Sequence, residues 1–95
     1  MTRSDAEGIA RSYLKAWEQG TGLEFIVQPQ YTIERSFGWV FFYNSKRYIE
    51  TGNVLDGLAG NAPIVVTRSD GRVHVTGTAL PLEQYLEKFN KYDAL

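Results

Sequence analysis

The chain has 95 residues, room for one domain and too few for a second core beside the first. Apolar residues make up 43% and charged residues 22%, which argues against intrinsic disorder or a coiled coil and for an ordinary globular domain. Ten Lys and Arg against eleven Asp and Glu leave a formal charge of −1, without the basic excess that nucleic-acid binding draws on, so no nucleic acid is expected as a partner.

No apolar run approaches the roughly 20 residues of a membrane span. Met1-Thr2-Arg3-Ser4-Asp5 leads into an amphipathic pattern rather than a signal-peptide core, so a cytoplasmic protein with no membrane partner is expected. With no cysteine, disulfides and thiolate chemistry are excluded. Of the aromatics (Trp 2, Tyr 6, Phe 5), most must be core, because a domain this small buries only about two-thirds of its unfolded surface.

Ser4 and Glu7 stand in S-x-x-E spacing, the pattern of a capping box. Ala6, Ile9, Ala10, Tyr13, Leu14 and Trp17 follow at three- and four-residue steps until Gly20 and Gly22, predicting a first helix near 5–19. From Leu23 to Arg35 strand formers alternate, with Pro29 marking a bulge, a bend or an edge. Gly38-Trp39-Val40-Phe41-Phe42-Tyr43 is apolar at every position after the glycine, the pattern of a central strand covered on both faces. Ile64–Thr67 and 72–76 flank an Asp70-Gly71 step that supplies the positive φ of a hairpin turn. Pro81 then fits the first turn of a second helix carrying Leu82, Tyr85, Leu86 and Phe89 on one stripe to about Lys91. The connection from Tyr48 to Pro63 is long for a compact domain, unless a helical turn lies at 54–58.

The expected fold is α+β: a four-stranded, mainly antiparallel sheet in the order αββ, loop, ββα, with the N-terminal and C-terminal helices on one face. Two covers are then open for the second face, the glycine-rich loop or a partner protein.

No catalytic constellation assembles. His74 is the only histidine and stands mid-hairpin without a nucleophile elbow, so no catalytic residue is assigned. One histidine without cysteines cannot supply the common zinc sets, so no metal is expected, and nothing calls for a cofactor. Gly52, Gly57 and Gly60 are not followed by the Lys-Ser/Thr pair of a phosphate loop, and no spacing pairs two carboxylates for acid–base work. What remains is Tyr43-Asn44-Ser45-Lys46-Arg47-Tyr48-Ile49-Glu50-Thr51-Gly52, in which tyrosine and arginine alternate with polar groups, the residue types of binding hot spots. The candidate partner-binding residues are Tyr43, Arg47, Tyr48 and Glu50, followed by Glu34 and Asp70. The plainer alternative is a polar loop anchored by its tyrosines.

Gly38-Trp39-Val40-Phe41-Phe42-Tyr43-Asn44-Ser45, Glu50-Thr51-Gly52, Leu58-Ala59-Gly60-Asn61-Ala62-Pro63-Ile64-Val65-Val66 and Gly77-Thr78-Ala79-Leu80-Pro81-Leu82-Glu83-Gln84-Tyr85-Leu86 together resemble the immunity protein 35 (YrhB-like) family, in order and in spacing. The first 35 residues match in pattern more than in identity. The resemblance implies a small α+β protein without catalytic residues, encoded beside a polymorphic toxin in bacteria and protecting the producing cell by binding that cognate toxin. It carries over no set of contact residues. A chaperone-like or scaffold protein that binds the exposed apolar surface of clients is the second reading.

Overall fold

The computed structural model describes residues 1–21, 24–52, 62–77 and 79–92; the helical turn expected at 54–58 lies outside them. The first helix, α1 (Arg3–Thr21), starts earlier than expected. Its reciprocal cap is Thr2 with Asp5: the Asp5 N–H donates to Thr2 Oγ1 and the Thr2 N–H to Asp5 Oδ2, both at 3.1 Å, satisfying two backbone donors at the helix start. Glu7, expected in that role, pairs instead with Arg11 one turn on.

The predicted strand from Leu23 to Arg35 is two strands, β1 (Phe25–Val27) and β2 (Ile33–Arg35), separated by a 3-10 turn over Pro29–Tyr31. The apolar run after Gly38 likewise divides into β3 (Gly38–Phe41) and β4 (Tyr43–Ser45). The cause is a mismatch in the hairpin. Val27 lies opposite Tyr43 and Ile33 opposite Val40, so residues 28–32 span the same gap as Phe41 and Phe42 alone. Pro29 cannot donate to a ladder, and the surplus residues coil into the 3-10 turn.

After β4 come α2 (Lys46–Thr51), β5 (Ile64–Thr67), β6 (Val73–Val75), α3 (Leu82–Leu86) and a terminal 3-10 segment, Glu87–Tyr92. Among the described residues the strands form a two-stranded ribbon, β1-β4, and a four-stranded sheet in the order β2-β3-β5-β6, with every pairing antiparallel. The single sheet expected from the sequence is therefore corrected to two, with the α+β class retained.

The placement of the helices is a second correction: they cover opposite faces. Ala6, Ala10 and Leu14 of α1 pack with Trp39, Phe41, Tyr43, Ile64 and Val66, whereas Leu86 and Phe89 pack with Phe37, Val40 and Val65. Alternation along β3 and β5 sends successive side chains to opposite sides, and all eight residues of these two strands are buried. Strands apolar on both faces must be covered on both, and each helix has one apolar stripe to offer. Neither of the two covers considered for the second face is needed over Val40 and Val65; α3 and the segment after it provide one.

The β5–β6 hairpin turns as expected, with Gly71 at φ 66°. Asp70 holds the turn: its Oδ1 accepts the Thr67 hydroxyl and, at 3.1 Å, the Arg72 N–H. The Thr67 hydroxyl and then the Arg72 amide keep the Asp70 carboxyl below its ordinary range. A carboxyl with a lowered folded pKa contributes stability above its unfolded pKa, near 4, and loses it as pH falls through the folded value. Melting temperatures of the native chain and Asp70→Asn should therefore differ most at neutral pH and converge in acid. A difference independent of pH would contradict the bond.

Candidate protein-binding surface

The ribbon carries a short surface helix at its far end. Ser45 ends β4 in an extended conformation (φ −65°, ψ 145°), and its Oγ accepts the Tyr48 N–H at 3.1 Å, capping α2. Gly52 closes the helix in the left-handed region at φ 69°, its N–H donating to Tyr48 O at 2.7 Å. The start is tied to β1: the Lys46 N–H donates to Glu24 O at 2.9 Å, and Lys46 Nζ lies 3.3 Å from Glu24 Oε2 and 3.8 Å from Glu50 Oε1. The hydrogen bond to Glu24, with the charges of Glu24 and Glu50, raises the Lys46 pKa.

No residue of α2 is buried. Both ends are fixed by caps, and the helix contributes nothing to either core. It exposes Arg47, Ile49 and Glu50, with Tyr48 half-buried beside them. In chemical terms this is a guanidinium with planar donors, a phenol, a branched apolar side chain and a carboxylate on six residues, a combination suited to directional recognition of a protein surface.

An aromatic group lies at the same end. Ser45 is opposite Phe25 in the ribbon. Trp17, near the end of α1, sets its ring centroid 6.2 Å from Phe25 and 6.3 Å from Tyr43, and it remains 37% exposed. The Glu18 carboxylate accepts the Phe25 N–H at 2.7 Å, fixing the ribbon to α1.

The six residues singled out from the sequence do not form one site. Arg47, Tyr48 and Glu50 share α2. Tyr43 lies in the core: it is 2% exposed, packed edge-on against Phe25 and Trp17, and burial, followed by the neighbouring Tyr13, raises its pKa. Glu34 and Asp70 lie at the opposite end of the β3–β4 path. Glu34 Oε1 accepts the Trp39 indole N–H at 3.0 Å, and its Oε2 is 3.7 Å from Arg68, whose guanidinium sits 4.3 Å above the Trp39 ring. Asp70 staples the hairpin turn. Both have defined intramolecular roles.

Ile49 and Trp17 were not singled out. Ile49 had no visible period, since six residues are too short to show one. By period Trp17 is the last member of a core stripe; Gly20, three residues on, is the one sequence sign that it sits at an end.

His74 lies 3.4 Å from Thr67 Oγ1, a Thr-His-Asp grouping by composition. Thr67 is fully buried and its hydroxyl is bonded to Asp70, so this grouping has the geometry of a turn staple. Among the described residues no cluster of three His, Cys, Asp or Glu could hold a metal ion, and no helix is long and apolar enough to cross a membrane.

With this geometry in view, comparison with known proteins places the chain. The family model for immunity protein 35 matches residues 4–88, and the chain belongs to that family. A curated relative, described as uncharacterized protein YrhB of Escherichia coli (strain K12), is 43% identical over 54 residues, a match covering 57% of each chain. The chain thus aligns with little more than half the length of that relative. No solved structure matches it.

Proposed function

We propose that this protein is an immunity protein that binds a cognate toxin domain, encoded by an adjacent gene, and neutralises it by stoichiometric occlusion in the cytoplasm, without catalysis of its own. Membership of the immunity protein 35 family supports the toxin partner. The observation that carries the choice of surface is α2, a doubly capped helix with no buried residue. A helix that adds nothing to the core and still exposes Ile49 beside Arg47 and Tyr48 is best explained by what it presents outward. Arg47, Tyr48 and Glu50 are its principal contacts, with Ile49 and Trp17 adding apolar area.

The chaperone reading relied on an aromatic face of the central strand. Trp39 and Phe41 are 1% and 0% exposed under α1, which leaves that face unavailable to clients and favours the dedicated partner. Co-expression decides the matter: cells producing the adjacent toxin domain should grow when this chain is supplied. Growth no better than with an empty vector rejects the proposal.

A further inference from the structure

Among the described residues the four-stranded sheet has two edges, β2 and β6. Charge guards the β2 edge: Glu34 pairs with Arg68, and Arg35 with Glu83. Charged side chains on an edge strand discourage the addition of another strand. Within β6 there is only Val73-His74-Val75.

Hydrogen bonds from Thr67 N–H to Arg72 O and from Thr76 N–H to Pro63 O, both 3.1 Å, fix the antiparallel alternation. Arg72, His74 and Thr76 aim their backbone groups at the neighbouring chain, while Val73 and Val75 aim theirs away from the sheet. Those outward groups have no partner among the described residues, and Val75 is 41% exposed.

The two faces of this edge differ in character. Val73 packs on the α1 side, so Val75, two residues on, shares that side. Arg72 and His74 point to the other, where the His74 ring meets Phe89 at 5.0 Å and Lys88 Nζ lies 5.1 Å from the Phe89 ring. Arg72 is exposed. The acid nearest to it along the chain, Asp70, is committed to the Thr67 hydroxyl and the Arg72 amide.

We propose that the β6 edge accepts an extended segment of a partner protein as a fifth strand, one that alternates apolar with acidic side chains. Its apolar residues lie beside Val73 and Val75, and its acidic residues beside Arg72 and Lys88. Main-chain bonds supply affinity in this mode, and alternate side chains supply specificity. Charge selects this occupant over a second copy, because residues 72–76 contain no Asp or Glu to meet Arg72. The edge is separate from α2, and the inference does not rest on the toxin reading.

The test uses the protein alone with a blocked peptide alternating glutamate and valine, followed by amide exchange. The Val73 and Val75 amides should exchange about tenfold more slowly with peptide, while the already bonded His74 amide is unchanged. A peptide alternating lysine and valine should bind at least about tenfold more weakly. Val75→Pro removes an outward donor that the sheet does not use, and should abolish the protection at Val73. Arg72→Glu, which leaves the backbone intact, should reverse the preference between the two peptides. Absence of protection at Val73 and Val75, or an equal response to both peptides, overturns the inference. Protection that grows with protein concentration without peptide also overturns it, in favour of a second copy.

Discussion

Gly38→Ala should unfold the chain or lower its melting temperature by at least about 15 °C, since a loss beyond about 4 kcal/mol corresponds to that shift in a domain of this size. Two costs combine. Gly38 has φ 150°, a region that residues with a Cβ adopt only under strain, at about 1–3 kcal/mol. The added Cβ would also fall on the Val66 carbonyl oxygen and within 3.0 Å of the Thr67 Cα and Arg68 N. These are backbone atoms of the paired strand β5 and of Arg68, the residue that follows it; Gly38 stands opposite Thr67, and neither strand can retreat without breaking the register that buries Trp39 and Phe41. Gly8→Ala is the contrasting change. Nothing lies within 4 Å of a Cβ there, and alanine in an exposed helix interior should add about 0.5–1 kcal/mol. Thermal melts followed by circular dichroism separate the two; a Gly38→Ala melt within about 4 °C of the native chain contradicts the packing described.

Replacing Arg47 and Tyr48 together by alanine should weaken binding to the toxin domain at least about 100-fold, or about 2.7 kcal/mol, the scale of hot-spot losses. Neither residue belongs to a core cluster, and the α2 cap uses the Ser45 side chain with backbone groups of Tyr48. The double variant should accordingly melt within about 1 kcal/mol of the native chain. An unchanged melt with unchanged affinity would move the interface elsewhere. Calorimetry with both chains reads the affinity directly, and the melt keeps a folding defect from being mistaken for a contact.

Much of the fold was legible because it rests on periodicity and turn chemistry. The stripe from Ala6 to Trp17, the all-apolar run at Trp39–Phe41 and the Asp70-Gly71 turn each state their structure locally. Three features were not legible. The break of the long hairpin depends on the register of Val27 with Tyr43 and Ile33 with Val40, which no single segment reveals. The side taken by α3 is set by the unfilled face under Val40 and Val65, a property of the assembled sheet. The helix α2 is too short for a period, yet Ser45 and Gly52 were present as cap and stop.

The candidate site was legible in part for the same reason. Residue type alone points to Arg47, Tyr48 and Glu50, and a helix unites them. Residue type points to Tyr43 as well, although strict alternation from Trp39 through Phe41 puts it on the buried side.

The most direct measurement is titration calorimetry of the purified chain against the toxin domain encoded beside it. A one-to-one complex at nanomolar affinity or tighter is the predicted result, on the scale of about −12 kcal/mol. No heat of binding, or weak heats shared with unrelated proteins, would contradict dedicated neutralisation.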